Sequence, residues 1–140
     1  MTANEAWEAL MTAHAVLMKG FAAEDIWQDV SMREYDVLYT LSKCPEPLRQ
    51  SELNRHVLLS QPALSRLVDR LVDRGFIERH NDPADGRGVR LALTEKGRDT
   101  QQKVGRPHAR SVARAVTTAL NPEELRQLEI LCRKLAKGNA

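Results

Sequence analysis

The sequence predicts a mainly α-helical protein with one small β-hairpin, and three observations predict it. Apolar residues recur at steps of three and four through most of the 140 residues, the period of one helix face. Helix-capping residues stand where several of these runs begin. The period drops to two only between Phe76 and Thr94. With 42% apolar residues and few aromatics, a chain of this length makes one ordinary domain or two small lobes.

The first helix is read from Trp7, Leu10, Met11, His14, Leu17, Met18 and Phe21, which share one face. Ser31-Met32-Arg33-Glu34 is a capping box, so a second helix begins near Met32 and buries Tyr35, Leu38 and Leu41. It stops before Cys44-Pro45-Glu46-Pro47, because Pro45 lacks an amide and disfavours helix at the residue before it. A short third helix is expected from about Ser51 to Leu58, with Leu53 and Val57 inward. In the fourth, Ser60 is the N-cap, Pro62 suits the first turn, Leu64, Leu67, Val68, Leu71 and Val72 form the buried stripe, and Gly75 ends it.

Phe76–His80 and Val89–Thr94 then read as strands, the second with Val89, Leu91 and Leu93 on one face. The polar, turn-rich segment Asn81–Gly88 joins them. Thr94 can cap a long helix through about Leu120, bent at Pro107. Asn121-Pro122-Glu123-Glu124 caps a last helix whose Leu125, Leu128, Leu131 and Leu135 are expected to be buried.

Two helices joined by a tight connection, the second capped and arginine-bearing, form a helix-turn-helix pattern, which places its second helix in the major groove of DNA. The small residues Ser60, Gln61, Pro62, Ala63 and Ser65 let the helix start approach base edges closely, and Gln61 can pair with adenine. Arg66 and Arg70 lie away from the apolar stripe, within reach of guanine or phosphate. Asp69 and Asp73, interleaved with them, equally suit a plain solvated face. In the hairpin, Arg87 follows Pro83 and Gly86 at a loop tip, where a guanidinium has no packing role and suits a narrow minor groove; Asp85 can hold it in place. Helix-turn-helix plus arginine-tipped hairpin is a winged helix.

Net charge is only +2, but it is unevenly distributed. Residues 1–48 carry eight acids against Lys19, Arg33 and Lys43, whereas Arg49, Arg55, Arg66, Arg70, Arg74, Arg79, Arg87 and Arg90 crowd the middle. No stretch approaches the length of a membrane span, and Glu5 and Glu8 stand where a signal peptide would be basic, so a cytoplasmic protein with no membrane partner is expected. Cys44 and Cys132 have no metal-ligand spacing, and His14, His56, His80 and His108 show no paired spacing, so neither metal nor cofactor is expected. The motifs GxGxxG, GxxxxGK and GxSxG are absent, and no enzyme or catalytic residue is read. The other function class that fits is a winged helix used only for protein contacts.

The stretches SMREYDVLYTLSK, LRQSELNRHVLLSQPALSRLVDRLVDRGFIERHNDPADGRGVRLALTEKG and NPEELRQLEILCRKL resemble the MarR family of bacterial transcription regulators over nearly the whole chain. The resemblance implies a homodimer on a palindromic double-stranded operator. Residues 1–30 would form an N-terminal dimerisation helix, 31–94 the winged DNA-binding lobe and 95–140 the C-terminal dimerisation helices. The apolar stripes of those helices are too extensive for a small winged lobe alone. Family wings carry an aspartate and an arginine two apart, here Asp85 and Arg87, whereas Ala84 replaces a further arginine of many relatives.

The resemblance further implies a repressor released by a small, often aromatic or phenolic, ligand. Trp7, His14, Tyr35, Asp36 and Tyr39 are the candidate contacts, although plain core packing suits Trp7, His14 and Tyr35 as well. Relatives that sense peroxide carry a reactive cysteine near the first helix, which is absent here. Cys44, beside Lys43, is the one thiol in a setting that could make it reactive.

Overall fold

The computed structural model describes every residue except Pro83, Asp85 and Arg87. Six helices and three strands follow in the order α1 (Ala3–Ala22), α2 (Met32–Lys43), β1 (Leu48–Arg49), α3 (Gln50–Asn54), α4 (Gln61–Asp73), β2 (Ile77–Asn81), β3 (Val89–Leu93), α5 (Glu95–Ala119) and α6 (Pro122–Gly138). The chain divides into two compact units, Met1–Glu24 with Pro107–Ala140, and Asp25–Arg106.

Local chemistry sets most helix starts. Capping boxes begin α1 at Thr2, α2 at Ser31 and α6 at Asn121, and the Thr94 hydroxyl accepts the Gly97 amide at the start of α5. Ser60 caps α4 by accepting the Ala63 amide at 3.3 Å. α3 ends at Asn54, short of the expected Leu58, because the amides of Arg55 and His56 turn to carbonyls three residues back and close the helix. Asn54 Nδ2 then donates to the Leu59 carbonyl at 2.9 Å and Arg33 to the Leu58 carbonyl at 3.1 Å, tying down the turn between α3 and α4.

In the Asp25–Arg106 unit the core is formed by Leu38, Leu53, Leu64, Leu71, Ile77 and Leu91, all essentially sealed from solvent. The sheet is antiparallel in the order β1-β3-β2. Sequence periodicity foresees β2 and β3 to within a residue at each end but not β1, whose two residues pair Leu48 with Leu91 and Arg49 with Arg90.

α4 ends in a Schellman turn: Gly75 donates to Val72, Phe76 donates to Leu71, and Gly75 takes a φ of +82°. The three carbonyls of this turn are then taken up by the beginning of α5. Lys96 Nζ donates to Arg74 at 2.8 Å, the Thr94 hydroxyl to Gly75 at 2.5 Å, and the Thr94 amide to Phe76 at 3.1 Å. The Phe76 ring is buried beneath the guanidinium of Arg74 and the ammonium of Lys96, 4.9 and 4.6 Å from its centre.

In the other unit Phe21 is buried and meets His108 edge-on at 5.3 Å, and Ser111 donates to Glu24. The remaining apolar side chains behave differently from expectation. Trp7, Met11, Leu128, Leu131 and Leu135 are exposed in the single chain, as are Val16 and Ile130. Periodicity marks the apolar face of a helix, but it does not say whether the same chain covers it.

Two glycines at the α4 turn should be irreplaceable for different reasons. Gly75→Ala puts a side chain at positive φ and should cost about 1–2 kcal/mol in urea unfolding. A Cβ on Gly97 would stand 2.0 Å from the Phe76 carbonyl oxygen, a clash with backbone that no rotamer relieves, so Gly97→Ala should lower stability further.

Candidate nucleic-acid interface

α4 buries Leu64, Leu67, Val68 and Leu71, which leaves one arc of the helix facing outward. Gln61, Pro62, Arg66, Asp69, Arg70 and Asp73 are exposed on it, and Ala63 and Ser65 are half-buried. These residues therefore share one outward side of α4. Asp85 and Arg87, the predicted wing contacts, lie outside the described residues.

The arginines divide into two groups that their number in the sequence does not separate. Arg74 pairs with the buried Glu34 at 3.2 Å and also donates to the Asp29 carbonyl. Arg79 of β2 pairs with Asp69 of α4. Arg49 and Arg90 stand directly opposite each other on β1 and β3, a like-charge pairing that opposes the sheet unless it is compensated. Asp82 compensates it. Its side chain is completely enclosed; one oxygen accepts from Arg49 Nε and Nη2 at 2.8 and 2.6 Å and lies 3.2 Å from Arg90 Nε. Its other oxygen accepts the Ala84 amide at 2.9 Å, and its own amide donates to Gly88. Asp82 thus joins β1, β3 and both ends of the hairpin loop, through its carboxylate and its backbone amide together.

Arg55, Arg66 and Arg70 form no ion pair among the described residues. Arg66 and Arg70 lie on the outward arc of α4, and Arg55 lies in the turn that precedes it. Their guanidiniums are therefore available for phosphate or guanine.

The candidate ligand residues fall in both units. Trp7 and His14 are exposed on α1. On α2, Tyr35 is buried while Asp36 and Tyr39 are exposed. Tyr35 packs with Trp27 and Tyr39 at ring separations of 5.7 and 6.0 Å. Burial pushes its hydroxyl above the usual tyrosine range, opposed by the hydrogen bond with Gln101. Its Oη lies 2.9 Å from where a Cβ on Gly105 would stand, so this tyrosine fills a fitted space against α5. Among the described residues no cluster of His, Cys, Asp or Glu could hold a metal, and no helix is long and apolar enough to cross a membrane.

A capped recognition helix, a three-stranded sheet and a hairpin define a winged helix-turn-helix protein. The MarR family model matches residues 28–88. The chain is 35% identical over 99 residues to the HTH-type transcriptional regulator YkoM of Bacillus subtilis, an alignment covering 71% of this chain and 61% of YkoM's own length. A MarR family transcriptional regulator from Streptomyces coelicolor, solved in complex with DNA, superposes with a TM-score of 0.84 at 27% identity, covering 99% of this chain and 89% of that one. The PcaV transcriptional regulator of the same organism, solved with its natural ligand, gives 0.74 at 25% identity, covering 100% and 95%. The winged helix-turn-helix segment belongs to the MarR family of transcriptional regulators, and the chain shares the fold of the family's solved members.

The Asp82 carboxyl is held below its ordinary value of 3.8, first by the Ala84 amide and then by Arg49, with burial opposing. Because the folded value is the lower one, its stabilisation is present above the ordinary value and is lost as pH falls through the folded value. Asp82→Asn should therefore melt below the wild type at neutral pH. The gap should stay constant from about pH 8 to about pH 5 and close only in stronger acid, as followed by circular dichroism.

Proposed function

We propose that this protein is a sequence-specific double-stranded DNA-binding regulator that acts as a homodimer on a palindromic operator. The observation that carries the reading is the outward arc of α4, where Gln61, Arg66 and Arg70 are presented by a capped helix and the two guanidiniums have no carboxylate partner among the described residues. The DNA complex of the Streptomyces relative supports it. Ser60, Pro62, Ala63 and Ser65 allow close approach of the helix start, and Asp85 and Arg87 join the site on sequence grounds alone.

The uncovered apolar side chains of α1 and α6, among them Met11, Leu128, Leu131 and Leu135, are the surface a second copy would bury. We further propose repression relieved by a small aromatic ligand, with Trp7, His14, Asp36 and Tyr39 as contacts. The ligand-bound structure of PcaV supports this part of the reading. Tyr35, the fifth candidate, is buried and stands in ring contact with Tyr39.

The test begins with a duplex enriched by the protein from a random-sequence library. Binding should weaken steeply with salt, and Arg66→Ala should flatten the log–log slope by about 1. Gln61→Ala should change base preference at one position in each half-site by about 1–3 kcal/mol. Sedimentation should give a dimer at micromolar concentration. Failure to enrich any duplex, with no salt-dependent binding, would leave a winged helix used for protein contacts. For the ligand, fluorescence of a Trp27→Phe variant should respond to aromatic carboxylates that also lower DNA affinity.

A further inference from the structure

Asp69 occupies a position that a DNA-reading helix would ordinarily leave neutral or basic. At about 3.6 residues per turn, it sits at the middle of the outward arc of α4, one turn beyond Ser65 and Arg66. A carboxylate there repels the phosphate backbone. Its partner is Arg79, and the sheet explains how that side chain arrives. Arg79 lies on the same face of β2 as Ile77, opposite Leu91. Ile77 and Leu91 are sealed into the core, and two residues further along β2 the same face has emerged, so Arg79 projects beside α4 and pairs with Asp69. Both side chains remain about half exposed, at 42% for Arg79 and 59% for Asp69. Such a pair contributes little to stability, so folding alone does not account for an acid in the middle of the reading face.

We propose that Asp69 sets the strength of sequence-independent DNA binding and that it acts through Arg79. The inference rests on the DNA-binding reading above. By pairing with Arg79, Asp69 withholds a cation that would otherwise add a sequence-independent phosphate contact. Non-specific affinity follows the number of phosphates neutralised, whereas base contacts set preference. Withholding one cation therefore weakens binding to all sequences alike and leaves the choice among them to base contacts such as that of Gln61.

The experiment compares wild type, Asp69→Asn, Arg79→Ala and the double variant by fluorescence anisotropy over a range of salt. The probes are the library-selected duplex and a random-sequence duplex of equal length, and equal melting temperatures check folding. Asp69→Asn should bind both duplexes several-fold more tightly, with a log–log salt slope steeper by about 1, and the ratio of selected to random affinity should stay unchanged. Arg79→Ala alone should leave the slope unchanged, because the paired guanidinium touches no phosphate. The double variant should return to the wild-type slope.

A double variant as steep as Asp69→Asn would overturn the role of Arg79. Weaker binding of Asp69→Asn to the selected duplex alone, at constant slope, would make Asp69 a direct base contact and overturn the proposal. If the wild type itself bound neither duplex in a salt-dependent way, the DNA-binding reading would fall and this inference with it.

Discussion

Three consecutive carbonyls, those of Arg74, Gly75 and Phe76, fix the geometry on which the Asp25–Arg106 unit depends. A helix end leaves carbonyls without partners, and here the chain supplies them from the first residues of α5. The turn that ends α4 is therefore also the turn that starts β2 and the platform on which α5 begins. Phe76 closes it by sealing its ring beneath two cations while its carbonyl lies against Gly97. Because α4 is held at this end and by the capped turn at Leu58 and Leu59, the arc it exposes is set by the scaffold.

The parts of this unit that are legible in the sequence are those whose causes are local. Ser31 with Glu34, Ser60 with Pro62, and Gly75 each act within a few residues, so helix starts and stops can be read directly. β1 cannot, because two residues have no periodicity and Leu48–Arg49 becomes a strand only by pairing with Leu91 and Arg90 far along the chain. The arginines fail for the same reason. As a run they signal a basic surface, but Arg49 finds Asp82, Arg74 finds Glu34 and Arg79 finds Asp69 only after folding. What survives that pairing is local to α4 and the turn before it.

The Met1–Glu24 and Pro107–Ala140 unit shows the complementary limit. Its stripes of Trp7, Met11, Leu128, Leu131 and Leu135 have the helical period foreseen, yet they are uncovered in the single chain. Hydrophobic spacing specifies which side of a helix seeks cover, whereas what covers it is a property of the assembly. The expectation that Leu128, Leu131 and Leu135 are buried therefore fails in the single chain. Val72 is a smaller case in the winged lobe, half-buried where the stripe predicts full burial because, at roughly 100° per residue, it lies at the edge of the stripe, about 40° round the helix from Val68.

Electrostatics at the start of α4 explains why side chains must do the reading. A helix N-terminus usually offers several free amides to a phosphate. Here Pro62 has none, and the Ala63 amide is taken by the Ser60 hydroxyl, which leaves the amides of Ser60 and Gln61. Charges beyond the Debye length of about 8 Å at physiological salt are largely screened, so the local charge of a surface matters more to a partner than the total for the chain. A formal charge of +2 is therefore no argument against a nucleic-acid surface. The total is small because 19 acids nearly offset 21 lysines and arginines along the chain. Arg66 and Arg70, without an ion pair among the described residues, stand on a helix whose free N-terminal amides are few.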